Sequence, residues 1–194
     1  VKKLIYSPYF GRFDFVYEGE SMEDAEPFYI GRYGFRDEEG TNLIYDWRAP
    51  VCNMYYEFEL GQAYYEAMER RFDGNIINKR QIKIENSQIQ YVIDSSLTIQ
   101  DEVLQQTLNE QANDKMKTIV TSIQREQNKI VRNESAYNMI IQGVAGSGKT
   151  AVALHRIAYY LYKYRDTLRA ERIFILSPNK VFGDYISSVL PELG

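Results

Sequence analysis

The chain has 194 residues, 44% of them hydrophobic, and a formal net charge of −4, which suits one large or two small globular domains and argues against a surface coated for nucleic acid. Its single cysteine, Cys52, and single histidine, His155, exclude an intramolecular disulfide and a zinc site built from those residue types. No apolar run approaches the ~18 residues of a membrane span, and the N-terminus has no signal-peptide layout, so a reducing, cytoplasmic setting without membrane is expected.

Up to about residue 95 the chain is dense in Tyr and Phe, spread through short runs broken by Gly. Tyr9–Phe15 (YFGRFDF) recurs twenty residues later as Tyr29–Phe35 (YIGRYGF). Two copies are too few for a solenoid; they read as equivalent strands of one sheet, each with a Gly where the backbone bends or a neighbour approaches. Asp37–Asn42 (DEEGTN) reads as a turn between strands. Asp46, Trp47 and Arg48 form a compact group around the only Trp, read as a Trp anchoring the core beside an Asp–Arg pair in preference to a contact surface for a partner. Cys52 is expected in the core. Leu60–Arg71 (LGQAYYEAMERR) has the Ala, Glu and Met content of a short helix. Ile76–Ile84 and Ile89–Ile93 are rich in β-branched residues, and Glu85-Asn86-Ser87 offers a hairpin connection between them. The tyrosines up to Tyr65 lack interleaved Lys or Arg, so they are expected to pack a sheet rather than stack on bases.

From Thr98 the period changes. Thr98 with Asp101 resembles a capping box, and Leu104, Leu108, Ala112, Met116, Ile119, Val120 and Ile123 follow helical spacing, with Asn113-Asp114 as a break. Tyr137–Gln142 (YNMIIQ) predicts a strand, Gly148 to Tyr164 a helix, and Arg172–Leu176 (RIFIL) a second strand. Strand, Gly-rich loop, helix, strand is a βαβ unit and implies a parallel sheet. The expected fold is therefore α/β: a β-rich region over 1–95, then over 96–194 a helical segment and an incomplete P-loop, RecA-like parallel sheet with helices.

Gly143–Thr150 (GVAGSGKT) matches G-x-x-x-x-G-K-[ST] in the strand–loop–helix context that the motif requires. A chance match in a chain of this length is about one in a hundred from average residue usage. Gly143, Gly146 and Gly148 let the backbone curl so that successive N–H groups, among them those of Val144, Ala145 and Ser147, face phosphate oxygens. The helix start adds its positive end. Lys149 supplies a cation for the β- and γ-phosphates, and the Thr150 hydroxyl suits Mg²⁺. Asn179-Lys180-Val181-Phe182 is no guanine clamp, whereas Gln127, one helix upstream, carries an amide able both to donate to and accept from an adenine edge. The expected cofactors are ATP and Mg²⁺. His155, in the helix after the loop, reads as a packed or capping residue rather than a base.

Gln127, the loop, LHRIAYYLY (Leu154–Tyr162) and ILSPN (Ile175–Asn179) together resemble the Q motif, motif I and motif Ia of superfamily 1, UvrD-type helicase motors. YDWRAPV (Tyr45–Val51), IQREQNKIVR (Ile123–Arg132) and SPNKVFGDYISSVLPELG (Ser177–Gly194) narrow the resemblance to the HelD-like family, helicase-like proteins associated with bacterial RNA polymerase. The likeness spans nearly the whole chain. It implies that Gln127 reads adenine, that Gly143 to Thr150 hold the triphosphate and Mg²⁺, and that the partners are bacterial RNA polymerase, single-stranded DNA and the rest of the motor. Two positions depart from the pattern. Ala151 stands where such motors carry an Arg that stacks on adenine, and Ser177-Pro178-Asn179, the residues corresponding to a DNA contact, lack an aromatic. Base stacking contributes ~1–3 kcal/mol per base, so strand tracking in the manner of an ordinary DNA helicase is weakened.

Hydrolysis needs a carboxylate at the end of an apolar strand to complete the Mg²⁺ shell. Arg172–Leu176 instead runs into Ser177. The chain also has no initiator Met and stops soon after that segment, so it reads as an excerpt that binds nucleotide but hydrolyses almost none. The competing readings are a polymerase-binding module with a nucleotide-sensing loop and an ordinary 3′–5′ helicase fragment; a kinase is disfavoured by the lack of a lid segment.

Overall fold

A computed structural model describes residues 2–94 and 125–189, and these fall into two compact units on either side of residue 121. The expected helical stretch from Thr98 to Ile123 lies outside the described residues.

The first unit opens with α1 (Lys2–Tyr6) and is built on a sheet of β1 (Gly11–Tyr17), β2 (Glu26–Gly31), β3 (Phe35–Arg36), β4 (Asn42–Asp46), β5 (Gly61–Ala67), β6 (Arg70–Glu85) and β7 (Gln88–Asp94). A single turn of 3₁₀ helix at Pro50–Cys52 leads into the short helix α2 (Asn53–Glu57) before β5. The strand order is β3-β4-β2-β1-β6-β5, with β7 also on β6. Every pair is antiparallel except β2 with β4. Phe13 and Phe28 face each other across β1 and β2, stacked at 5.0 Å. With Phe15, Ile30, Trp47, Cys52, Met54 and Ile76 they form the core. Most of the early tyrosines pack this sheet, as in the stacked pair Tyr65–Phe72 and the edge-on pair Phe15–Tyr17.

The repeat is shared between neighbouring strands, but its two copies are not equivalent. The first opens β1 and the second closes β2, so that Gly11 pairs with Ile30. A Cβ on Gly31 would lie 2.4 Å from the Pro8 carbonyl oxygen, and one on Gly11 2.9 Å from the Tyr55 ring. Close approach, not bending, therefore explains both glycines. The Asp37–Asn42 turn forms as expected, with the Asp37 carboxylate accepting the Thr41 N–H at 2.8 Å.

Leu60–Arg71 does not form a helix. It contributes β5, a tight turn at Met68 and Glu69, and the start of β6. Both turn residues have positive φ, 51° and 60°, the backbone of a two-residue hairpin. Helix propensity loses here to a full ladder against β6, from Gly61 opposite Ile76 to Ala67 opposite Arg70. Asn86 and Ser87, at φ 50° and 64°, make the second such turn, between β6 and β7, where the Glu85-Asn86-Ser87 connection was expected.

A bulge in β6 opposite Asp14 and Phe15 reverses its inward parity. Ile76 stands opposite Phe15, yet Lys79 stands opposite Phe13 on the buried face. The Lys79 ammonium donates to the Phe58 carbonyl at 2.8 Å and lies over the Tyr55 ring. The Asp46–Trp47–Arg48 group is packed as the core reading expected. Trp47 is fully buried, and Arg48 grips Asp46 through Nε at 2.8 Å and Nη2 at 2.7 Å.

The second unit contains α3 (Arg125–Arg132), α4 (Lys149–Lys163), a 3₁₀ turn (Ala170–Arg172) and α5 (Lys180–Val189). The helix after the loop forms as expected. The two strands do not: Tyr137–Gln142 and Arg172–Leu176 have no ladder, so no parallel sheet is present among the described residues. A strand exists only through its hydrogen-bonded neighbour, and neither segment pairs with the other. Several of their apolar side chains face outward, with Tyr137, Ile140, Phe174 and Leu176 at least nine-tenths exposed.

Candidate functional site

Residues 143–150 form an open turn that leads directly into α4. Gly146 and Gly148 carry φ of +80° and +79°, a conformation that costs an L-residue roughly 1–2 kcal/mol. Gly148 is the N-cap of α4 and brings no capping side chain. The first-turn N–H groups at Lys149, Thr150 and Ala151 therefore have no intrahelical acceptor, and the positive end of the helix faces the loop.

The Lys149 ammonium turns back over the loop and donates to the carbonyls of Gly143 at 2.8 Å and Val144 at 2.6 Å. Ser147 closes the turn through its N–H to the Val144 carbonyl at 3.3 Å. Its hydroxyl lies 2.7 Å from where a Gly143 Cβ would stand, so that position admits only glycine without a shift. Val144 and Ala145 are exposed.

Gln127 reaches the loop. Its Nε2 lies 3.2 Å from the position of a Cβ on Gly148, so the fold brings together two residues that sit twenty-one apart in sequence. They meet because α3 packs on α4, with Asn128 and Val131 of α3 and Val152, Leu154, His155, Ala158 and Tyr159 of α4 buried.

His155 is a packed residue. Its Nδ1 lies 2.6 Å from the Ala151 carbonyl, and burial holds its pKa below the usual value, with the Ala151 contact working in the opposite sense. A base would need access that this side chain, 1% exposed, does not have.

Polar residues that sequence reading did not single out hold α3 in place. Arg156 donates to the carbonyls of Ile130 at 2.7 Å and Val131 at 3.4 Å, and to the Tyr160 hydroxyl at 2.6 Å. The Tyr160 hydroxyl in turn donates to the Asn133 carbonyl at 2.9 Å. Glu134 accepts from Tyr159 at 3.0 Å and pairs with Lys163. Burial alone would raise the Glu134 pKa, but the bonds from Lys163 and Tyr159 outweigh it and hold the carboxyl below its usual value. The only sequence signal was the three- and four-residue spacing of Arg156, Tyr159, Tyr160 and Lys163, which puts them on one helix face.

Ser177 and Asn179 come together as the entry to α5, where the Ser177 hydroxyl donates to the Asn179 carbonyl. That carbonyl also accepts the Gly183 N–H at 3.1 Å. Among the described residues no His, Cys, Asp and Glu cluster could hold a metal ion, and no helix is long and apolar enough to cross a membrane.

Residues 1–114 match the family model described as the N-terminal domain of DNA helicase IV HelD. No curated protein matches the chain.

Proposed function

The chain belongs to the HelD helicase family, and we propose that it carries the adenine-nucleotide site of a helicase-like ATPase acting on bacterial RNA polymerase. One observation carries the reading. Gln127 is held beside Gly148, at the point where a Gly-rich loop with two left-handed glycines runs into the uncapped start of α4. That arrangement suits an anion, because backbone N–H groups and the helix dipole converge there. It also suits an adenine base beside the anion, because a carboxamide can donate to and accept from the adenine edge.

The residues fit ATP with Mg²⁺. Gly143, Val144, Ala145, Gly146, Ser147 and Gly148 would surround the phosphates, and Ala151 would lie at the inner margin. Lys149 would exchange the Gly143 and Val144 carbonyls for phosphate oxygens, and the Thr150 hydroxyl would serve the metal. Bound Mg²⁺ would neutralise charge on the phosphates; this chain's own residues hold and orient the nucleotide. In the intact protein that binding would drive release or recycling of RNA polymerase from nucleic acid. Ser177 and Asn179 are proposed as a weak single-stranded DNA contact, because the segment lacks an aromatic platform. The domain boundary near residue 95 and a cytoplasmic location belong to the same proposal.

The test is equilibrium binding of a fluorescent ATP analogue with Mg²⁺ to the 194-residue chain, paired with a phosphate-release assay. Binding is expected, lost by about tenfold or more in Lys149→Ala, since a charged hydrogen bond contributes ~1.5–3 kcal/mol. Phosphate release is expected at background. Steady turnover that Lys149→Ala abolishes would overturn the claim that this chain binds without hydrolysing, and equal binding by both proteins would overturn the site.

A further inference from the structure

Eight-residue α3 is too short to hold its shape in isolation, and it offers little apolar surface with which to fix its own orientation. Its apolar residues are Ile130 and Val131, of which only Val131 is fully buried; the other buried position is Asn128. Packing one valine leaves a short helix free to rotate about its axis, and directional bonds do not. A set of such bonds from α4 holds its C-terminal end. Arg156 donates to the carbonyls of Ile130 and Val131, last-turn groups that carry the negative end of the dipole; the Ile130 carbonyl also accepts the Asn133 N–H at 3.4 Å. Tyr160 bonds the Asn133 carbonyl, while Tyr159 and Lys163 grip Glu134. Gln127 lies three residues before Ile130, about 4.5 Å along the axis. A helix held at its far end in this way carries Gln127 to Gly148; released, it carries Gln127 elsewhere.

We infer that Arg156 and Glu134 are positioning residues of the nucleotide site: they set the rotation of α3, and through Gln127 the preference for adenine over guanine. This rests on the reading of Gln127 and the loop given under Proposed function. Neither residue touches the loop through any hydrogen bond described above, so the phosphate grip is independent of them. The base preference depends on them because guanine offers the reverse donor and acceptor pattern, and a misplaced carboxamide cannot tell the two apart.

The experiment uses the 194-residue chain as wild type, Gln127→Ala, Arg156→Ala, and the double variant Glu134→Gln with Tyr160→Phe, which alters only single polar atoms and guards against a misfolded alanine variant. Amide hydrogen exchange is followed over residues 125–132 and 149–163 without ligand, and affinities are measured for ATP, GTP and inorganic tripolyphosphate with Mg²⁺. Exchange is expected to rise in 125–132 and not in 149–163. ATP affinity is expected to fall about tenfold toward that for GTP, the loss of about one well-placed hydrogen bond, while tripolyphosphate affinity stays unchanged. Unchanged exchange, or an ATP-to-GTP ratio that holds although Gln127→Ala lowers it, overturns the inference. Equal weakening of all three ligands also overturns it, since it marks a merely structural role. If the wild type distinguishes no base, the reading of Gln127 fails, and the exchange data still decide whether Arg156 and Glu134 hold α3.

Discussion

Asp46→Ala tests whether the Asp46–Trp47–Arg48 group serves the core or a surface. The Asp46 and Arg48 side chains are 9% and 7% exposed, and the carboxylate accepts Nε and Nη2 of Arg48 as well as its backbone N–H at 2.9 Å. Truncation would leave the guanidinium buried without that carboxylate, a change that costs about 3–5 kcal/mol in such surroundings. In a domain of this size each 1 kcal/mol lowers Tm by roughly 4–8 °C, so Asp46→Ala should lower the Tm of the first unit by roughly 12–40 °C. Trp47 is the only Trp and is 0% exposed, so its emission in a urea titration reports on this unit alone. Replacing both residues with Leu should restore part of the loss, because a buried pair exchanged for apolar groups is often near neutral. A cost below about 1 kcal/mol for Asp46→Ala would match an exposed pair and would refute the core reading.

His155, the only histidine, has a pKa depressed by burial below 6.5. The unfolded chain therefore takes up a proton first as pH falls, and the stability of the second unit should decline from pH 6.5 downward toward the folded pKa. Denaturation midpoints at pH 7.5 and 5.5 should differ less in His155→Leu. Gly146→Ala and Gly148→Ala should each destabilise the second unit by about 1–2 kcal/mol through the left-handed backbone, measured by urea unfolding. Only Gly148→Ala should also weaken ATP relative to GTP, because its Cβ would crowd Gln127. Gly31→Ala should destabilise the first unit by about 1–3 kcal/mol or more through overpacking. Gly34→Ala, where the nearest atom is 3.5 Å away, should change the midpoint little.

Much of this was legible in the sequence, and the elements that were share a physical trait. The Gly143–Thr150 loop, α4, the Asp37–Asn42 turn, the β6–β7 hairpin and the buried Asp46–Trp47–Arg48 group all rest on residues a few positions apart. Their conformation is fixed by local sterics, by backbone hydrogen bonding, or by one large apolar side chain that must be covered. The family was legible for the same reason, since short motifs survive as strings.

What the string does not contain is the identity of a distant neighbour. Leu60–Arg71 has helical composition, yet β6 supplies a ladder that outweighs propensities of a few tenths of a kcal/mol per residue. Tyr137–Gln142 and Arg172–Leu176 have strand composition, yet neither has a partner strand among the described residues. Lys79 enters the buried face only because of a bulge in β6. Around the loop, the sequence by itself determined where the left-handed glycines and the helix start fall, because these are properties of adjacent residues. Only the tertiary structure decided that Gln127 stands beside Gly148, that Arg156 bonds the Ile130 carbonyl and that Glu134 pairs with Lys163. Those contacts join residues 21 to 29 positions apart, and a hydrogen bond over such a separation depends on where two helices pack rather than on what lies next in the chain.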